Sequence, residues 1–264
     1  TKLSQKLIDS LSVIFDLDLE TWDVSGAFLK GFPFTELRHR LRKKGIITPE
    51  RHVCVRPPAE VWQLLGKIPG SGVKPGQNLT GKLLWLIKPV YGLNDAPLAW
   101  QLCLQEYFIQ KRKGIQSGFD ECFFFWPDKP GSVVALGGCH VDDNKIAAKS
   151  WWLKEEFELF SKEFGGATRE GLPFVHTGVR HAKTDKGLKQ DQDEFCQKLS
   201  AFPLKRERSN QDDSELTSEE LTGLRAILGG LLWLCQARLD ILCDVALQQQ
   251  YVCKPTVKTL KAAN

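Results

Sequence analysis

The segment SVVALGGCHVDDNKIAA, residues 132–148, decides the fold: a β-branched apolar run leads into Asp142 and Asp143, and a second run follows. That pattern predicts two antiparallel strands joined by a tight turn, with the acidic pair at its tip. Upstream, FDECFFFW (119–126) is aromatic and runs into a PDKPG turn, so it is expected to pair with 132–141 as a hairpin. Downstream, WWLKEEFELFSKEF (151–164) puts Leu153, Phe157, Phe160 and Phe164 on one helical face. This predicts an amphipathic helix packed on the same sheet.

Farther out, residues 3–17 carry Leu3, Leu7, Leu11, Ile14 and Phe15 at helical spacing and run towards the strand-like TWDVSGAFL (21–29). The stretch from Gly66 to Gly81 is rich in Gly, Pro and Ser and reads as a long loop. LLWLI (83–87) reads as a strand, followed by KPVYGLNDAPLAWQ (88–101) and a helix from about Ala99 to Lys111. Beyond Lys205 a charged linker leads to Thr217 and Glu220, spaced as a capping box, with Leu216 and Leu221 placed as its hydrophobic staple. The helix they open runs through LTGLRAILGGLLWLCQAR. The order helix, strand, helix, hairpin, helix predicts an α+β fold, with a core over 1–204 and a linker and helical piece over 205–264.

With 264 residues and 42% hydrophobic content, the chain can bury a core of ordinary depth. No apolar run approaches the length of a bilayer span, and the opening lacks the pattern of a signal peptide. Eight cysteines without a C-x-x-C pair, and five histidines in no zinc-ligand spacing with them, leave no legible zinc cluster or dense disulfide framework. Reduced thiols in an intracellular protein are the expectation. Because the chain begins with Thr and contains no Met, it is expected to be a piece of a longer open reading frame.

A net charge of +4 does not by itself imply a nucleic-acid partner. Its distribution says more, because bases bunch in RHRLRKK (38–44), in KRK (111–113) and at Lys205, Arg206 and Arg208. Arg40, Arg42, Lys43, Lys111 and Arg112 are therefore candidate phosphate contacts, against the plainer reading of solvated faces. Two carboxylates at a hairpin tip repel one another and invite a cation, and Asp23 supplies a third from a strand-like segment. Three aspartates on adjoining strands suffice for two Mg²⁺ ions that clamp an in-line phosphoryl displacement. The alternative for VDDN is an ordinary polar turn.

WDVSGAFLKG resembles the first motif of copia-type LTR-retrotransposon reverse transcriptases, KPVYGLNDAPLAW the second, and CHVDD the metal-binding hairpin, in the family's order. FVHTGVR, QDQDEFCQKL and LRAILGGLLWLCQARLDI resemble its downstream segments, so the likeness spans nearly the whole chain. The resemblance implies a right-hand polymerase: a palm sheet with packed helices, partial fingers and a small helical thumb-like piece. It implies RNA-directed DNA synthesis on a template-primer from dNTPs, with Mg²⁺, or Mn²⁺ in its place, held by Asp23, Asp142 and Asp143. Asp23 and Asp142 would bridge the ions, with Asp143 in support.

By the same resemblance, Val24, Phe28, Tyr91, Gly92 and Asp95 would border the nucleotide, with Phe28 as the gate against a 2′-hydroxyl. Arg180 would contact nucleic acid, Thr177 to Arg180 would lie near the primer grip, and His140 would either fill its strand or contact primer phosphate. Asp95 stands where the family usually has Gln, and its charge would repel a triphosphate unless it faces away or pairs with a base such as Lys88. His140 stands where the family has Tyr, and the stretch from Asp23 to Tyr91 is long for the family. The chain starts after the family's upstream fingers segment and stops before any RNase H or integrase region, the expected partner domains of the same polyprotein. An intracellular setting is implied, in the cytoplasm or in virus-like particles, without a membrane. Two further readings are a catalytically degenerate nucleic-acid-binding relic of the same fold and a metal-dependent nuclease.

Overall fold

In the computed structural model, which describes residues 1–264, the chain opens with α1 (Lys2–Ile14), β1 (Asp18–Val24), α2 (Ala27–Lys30) and α3 (Phe34–Lys43). It continues with β2 (Val53–Val55), α4 (Ala59–Leu65), β3 (Leu84–Leu86), α5 (Asp95–Glu106), β4 (Ile115–Gln116), β5 (Phe123–Pro127), β6 (Val133–His140) and β7 (Asp143–Ala148). Then come α6 (Ser150–Phe164) and β8 (Ala167–Gly171). The architecture is mixed α/β, with antiparallel sheets and packed helices. A six-stranded sheet in the order β4-β5-β6-β7-β1-β8 dominates the first of two compact units, Thr1–Glu170.

The strand pairs from β4 to β1 are all antiparallel, and β6 and β7 form the expected hairpin, with only Val141 and Asp142 between them. One face of this sheet carries Trp22, Ile146 and Ala148, which meet Phe160 and Phe164 of α6 and Trp100 and Leu104 of α5 in the main core. Aromatic rings dominate that core. Phe160 lies 4.9 Å from Phe164 and 5.2 Å from Trp22, in the tilted and edge-on geometries that ring quadrupoles favour. The expected face of α6 is thus the buried one, although Phe157 is only partly covered.

Elsewhere tertiary contacts override local pattern. The apolar stripe of α1 is mostly in solvent, with Leu3 77% and Ile14 70% exposed, while Ile8, Asp9 and Ser12 are buried. Asp9 makes a 2.6 Å ion pair with buried Lys145 of β7, and such a pair stabilises only where both charges meet. Gly138 makes the fit possible, since a Cβ there would come 2.5 Å from Ile8. The expected strand through Leu29 ends instead at Val24, because Gly26 adopts φ +66° and turns the chain into α2. α5 starts at Asp95, ahead of the expected Ala99, and takes Pro97 into its first turn, where a missing N–H leaves no bond unmade. The segment Tyr107–Lys111 continues it as a π-helical turn.

The second unit, Gly171–Asn264, contains β9 (Phe174–His176), β10 (Val179–Thr184), β11 (Gly187–Asp191), α7 (Asp193–Cys196) and α8 (Arg206–Ser209). After these come α9 (Ser218–Leu234), α10 (Leu242–Gln250) and α11 (Val257–Ala263). The expected boundary at 204/205 falls inside this unit, whose three-stranded sheet in the order β11-β10-β9 precedes the helices. The capping box forms at α9: the Glu220 amide donates to the Thr217 hydroxyl at 3.2 Å, and the Thr217 amide to the Glu220 carboxylate at 2.9 Å. Leu224 and Leu228 then pack on Leu260 and Ala263 of α11.

Candidate active site

Register brings the acidic residues together. Asp23, near the end of β1, is the antiparallel partner of Asp143, the first residue of β7, and Asp143 is also the partner of His140, the last residue of β6. Directly opposed residues share a face with Cβ atoms about 5 Å apart, so Asp23, Asp143 and His140 form a row across three strand ends. Asp142 sits beside them in the turn. Burial pushes the Asp143 carboxyl above its ordinary value, the charges of Asp142 and Asp23 add to that rise, and His140 opposes it. No Lys or Arg pairs with any of the three aspartates.

The turn that carries Asp142 is conformationally unusual. Val141 takes φ +60°, a left-handed conformation that a β-branched residue adopts only under constraint. One constraint is Trp100 of α5, fully buried, whose indole N–H donates to the Val141 carbonyl at 2.9 Å. Nothing in the spacing of YGLNDAPLAW marks this tryptophan as a clamp on a turn 41 residues away.

Around the acidic end, Phe28 of α2 is half-buried against the main core, and its ring lies 4.6 Å from that of exposed Tyr91. Gly92, next to Tyr91, adopts φ +88° with open space where a Cβ would stand. Val24, by contrast, is 1% exposed, and its side chain belongs to the core. Asp95 forms an ion pair with Arg51, a residue that sequence reasoning did not single out, so its charge is neutralised, and not by Lys88. Lys88 instead reaches the Leu29 carbonyl, at 3.4 Å.

Most of the candidate phosphate contacts already hold acids. Arg40 pairs with Glu36 at 2.6 Å and with Glu106, and lies 3.9 Å over the ring of Phe32. Lys111 pairs with Glu163 at 2.6 Å. Arg112 pairs with Glu156 at 2.7 Å, and Glu156 also accepts from the Tyr107 hydroxyl. Arg180, in the second unit, lies 3.4 Å from Asp191. Arg208 grips Glu220 and the Glu215 carbonyl. Arg42 and Lys43, exposed in the last turn of α3, form no ion pair.

The three carboxylates at the strand ends, which no Lys or Arg pairs, are oxygen donors of the kind a hard divalent cation takes, with the imidazole of His140 beside them. They are not a preformed cage, since no group of three or more His, Cys, Asp or Glu side chains is gathered closely enough to hold a metal ion as it stands. No helix is long and apolar enough to cross a membrane. Comparison with protein-family models finds no match for this chain, and neither does comparison with curated proteins.

Proposed function

We propose that this chain is the polymerase core of a copia-type retrotransposon reverse transcriptase, a right-hand palm with partial fingers and a thumb-like helical piece. The observation that carries the reading is the register of Asp23 against Asp143, beside Asp142 in a constrained turn, with no base to neutralise them. In this reading Asp23 and Asp142 are the principal ligands of Mg²⁺ or Mn²⁺, and Asp143 supports them. Bound cations would stabilise the charge on the attacking and leaving oxygens as a primer 3′-hydroxyl displaces pyrophosphate from a dNTP. Phe28, backed by Tyr91, borders the sugar of that nucleotide. The Arg51–Asp95 pair removes the repulsion that a free carboxylate would exert on the triphosphate. Arg42 and Lys43, which hold no acid, are the candidate contacts to template-primer phosphates, and the RNase H and integrase regions of a longer polyprotein are the partner domains.

One observation favours a second reading, a nucleic-acid-binding relic of the same fold: the three carboxylates are not drawn into a cage. Primer extension by the longer parent polyprotein product, with Mg²⁺ or Mn²⁺, separates the two. Extension that is lost in Asp142→Asn supports the polymerase. Template binding without extension under either metal leaves the relic.

A further inference from the structure

Asn144 is fully buried on β7, opposite Trp22 of β1 and Cys139 of β6. By strand alternation it faces the same apolar side as Ile146 and Ala148. Its amide donates to the Asp142 carbonyl at 3.0 Å and to the Trp22 carbonyl at 3.3 Å. With the amide flipped, its oxygen would face both carbonyls, so the donors must point this way. The amide oxygen in turn has no partner. An apolar side chain of similar size would remove that orphan oxygen, but it would also take the amide's bonds away from the two carbonyls.

The two carbonyls explain the presence of an amide here. The Trp22 carbonyl belongs to the peptide that enters Asp23, and the Asp142 carbonyl belongs to the peptide joining Asp142 to Asp143. One side chain therefore bridges the two peptide groups from which all three carboxylates hang. Trp100 holds the Val141 carbonyl, so both carbonyls of the two-residue turn are fixed by side-chain donors from buried residues. Trp22 is itself anchored, its indole N–H donating to Glu20 at 2.8 Å.

We propose that Asn144 is a positioning residue that sets the separation of Asp23 from Asp142, and so the cation affinity of the site; this rests on the metal-binding reading above. The test titrates Mn²⁺ into the chain by electron paramagnetic resonance, alongside Asn144→Leu, which keeps the volume and removes both donors. Removing such a supporting hydrogen-bond donor is expected to weaken Mn²⁺ binding about tenfold or more. The loss of two bonds to backbone carbonyls should lower the melting temperature modestly, so the Mn²⁺ titration is run well below the transition of both proteins. Equal Mn²⁺ affinity in the two proteins overturns the proposal.

If Asn144→Leu does not fold, Asn144→Thr, which keeps one donor, takes its place: an affinity between parent and Asp23→Asn supports the role, and parental affinity overturns it. Absence of Mn²⁺ binding by the parent itself overturns the metal-site reading. A crystal structure of Asn144→Leu then judges the geometry alone, and an unchanged Asp23–Asp142 spacing overturns the positioning role.

Discussion

Two acidic places in this molecule are built in opposite ways. At the start of α9, Glu220 accepts from Arg208 at 2.8 Å through each carboxylate oxygen and closes the capping box with Thr217. Those bonds hold its carboxyl down at about 2, with the Arg208 guanidinium the largest cause. At the end of the six-stranded sheet, Asp143 faces Asp23 and adjoins Asp142, and its carboxyl is pushed up by burial and by its neighbours. Glu156 and Asp9 are likewise each paired with a base at hydrogen-bonding distance, although burial pushes the Glu156 carboxyl up. The fold pairs its buried acids and leaves these three carboxylates, Asp23 exposed and Asp142 and Asp143 half-buried, together without a Lys or Arg; in the metal-binding reading such a cluster takes its positive charge from outside.

The sharpest way to break this contrast is chemical. If, as proposed, the chain is the core of a longer polymerase, Asp142→Asn in that parent is expected to cut primer extension to below about one per cent of the parent rate. Template-primer affinity, followed by gel shift, should be retained, because phosphate contacts lie elsewhere. Equal loss of both would make the aspartate structural.

Next in size is the Phe28 and Tyr91 pair beside the acids. In the same parent, Phe28→Val is expected to raise ribonucleotide over deoxyribonucleotide incorporation by about tenfold, as the space for a 2′-hydroxyl opens. Steady-state incorporation of matched nucleotides on one template measures this. An unchanged ratio with a lower melting temperature would return Phe28 to the core alone.

The bases give a third test, since they too divide into paired and unpaired. Template-primer binding is expected to be sequence-independent and to weaken steeply with salt. Replacing Arg42 and Lys43 by Ala should reduce the log–log salt slope by about 2, close to one for each phosphate no longer neutralised. Lys111→Ala, whose lysine holds Glu163, should leave the slope unchanged. A slope indifferent to Arg42 and Lys43 would move the nucleic-acid surface away from α3.

The smallest effects are on stability, and they have opposite signs. Asp143→Asn is expected to raise the melting temperature of the metal-free chain slightly at neutral pH, because it removes a carboxylate whose ionised form the fold disfavours. Glu220→Gln should lower it. Glu220 has its folded value depressed from 4.5 to about 2, so its stabilisation is full above pH 4.5 and is lost as pH falls towards 2. Circular dichroism during an acid titration should show helix lost over that window in the parent. The Glu220→Gln protein should start lower and lack that component.

Several features are legible in the sequence because local rules determine them. The hairpin over 132–148, the α6 face and the Thr217–Glu220 capping box depend on alternation, helical periodicity and short-range hydrogen bonds, which act within a few residues. Asp142 and Asp143 at the hairpin tip follow from the same alternation. The three-stranded sheet of the second unit is not legible, since VRHAKT and GLKQD mix small and charged residues without an apolar period. The apolar stripe of α1 points to the wrong face, because the Asp9–Lys145 pair and the space at Gly138 outweigh Leu3 and Ile14.

The sequence by itself determined which residues are acidic and that two of them sit at a strand turn. Only the tertiary structure decided that Asp23 faces Asp143, that Arg51 neutralises Asp95, and that Trp100 and Asn144 hold the turn and its neighbouring peptide. Those pairings join residues 41 to 122 positions apart. Strand register and side-chain packing set them, and no periodicity along the chain carries that information.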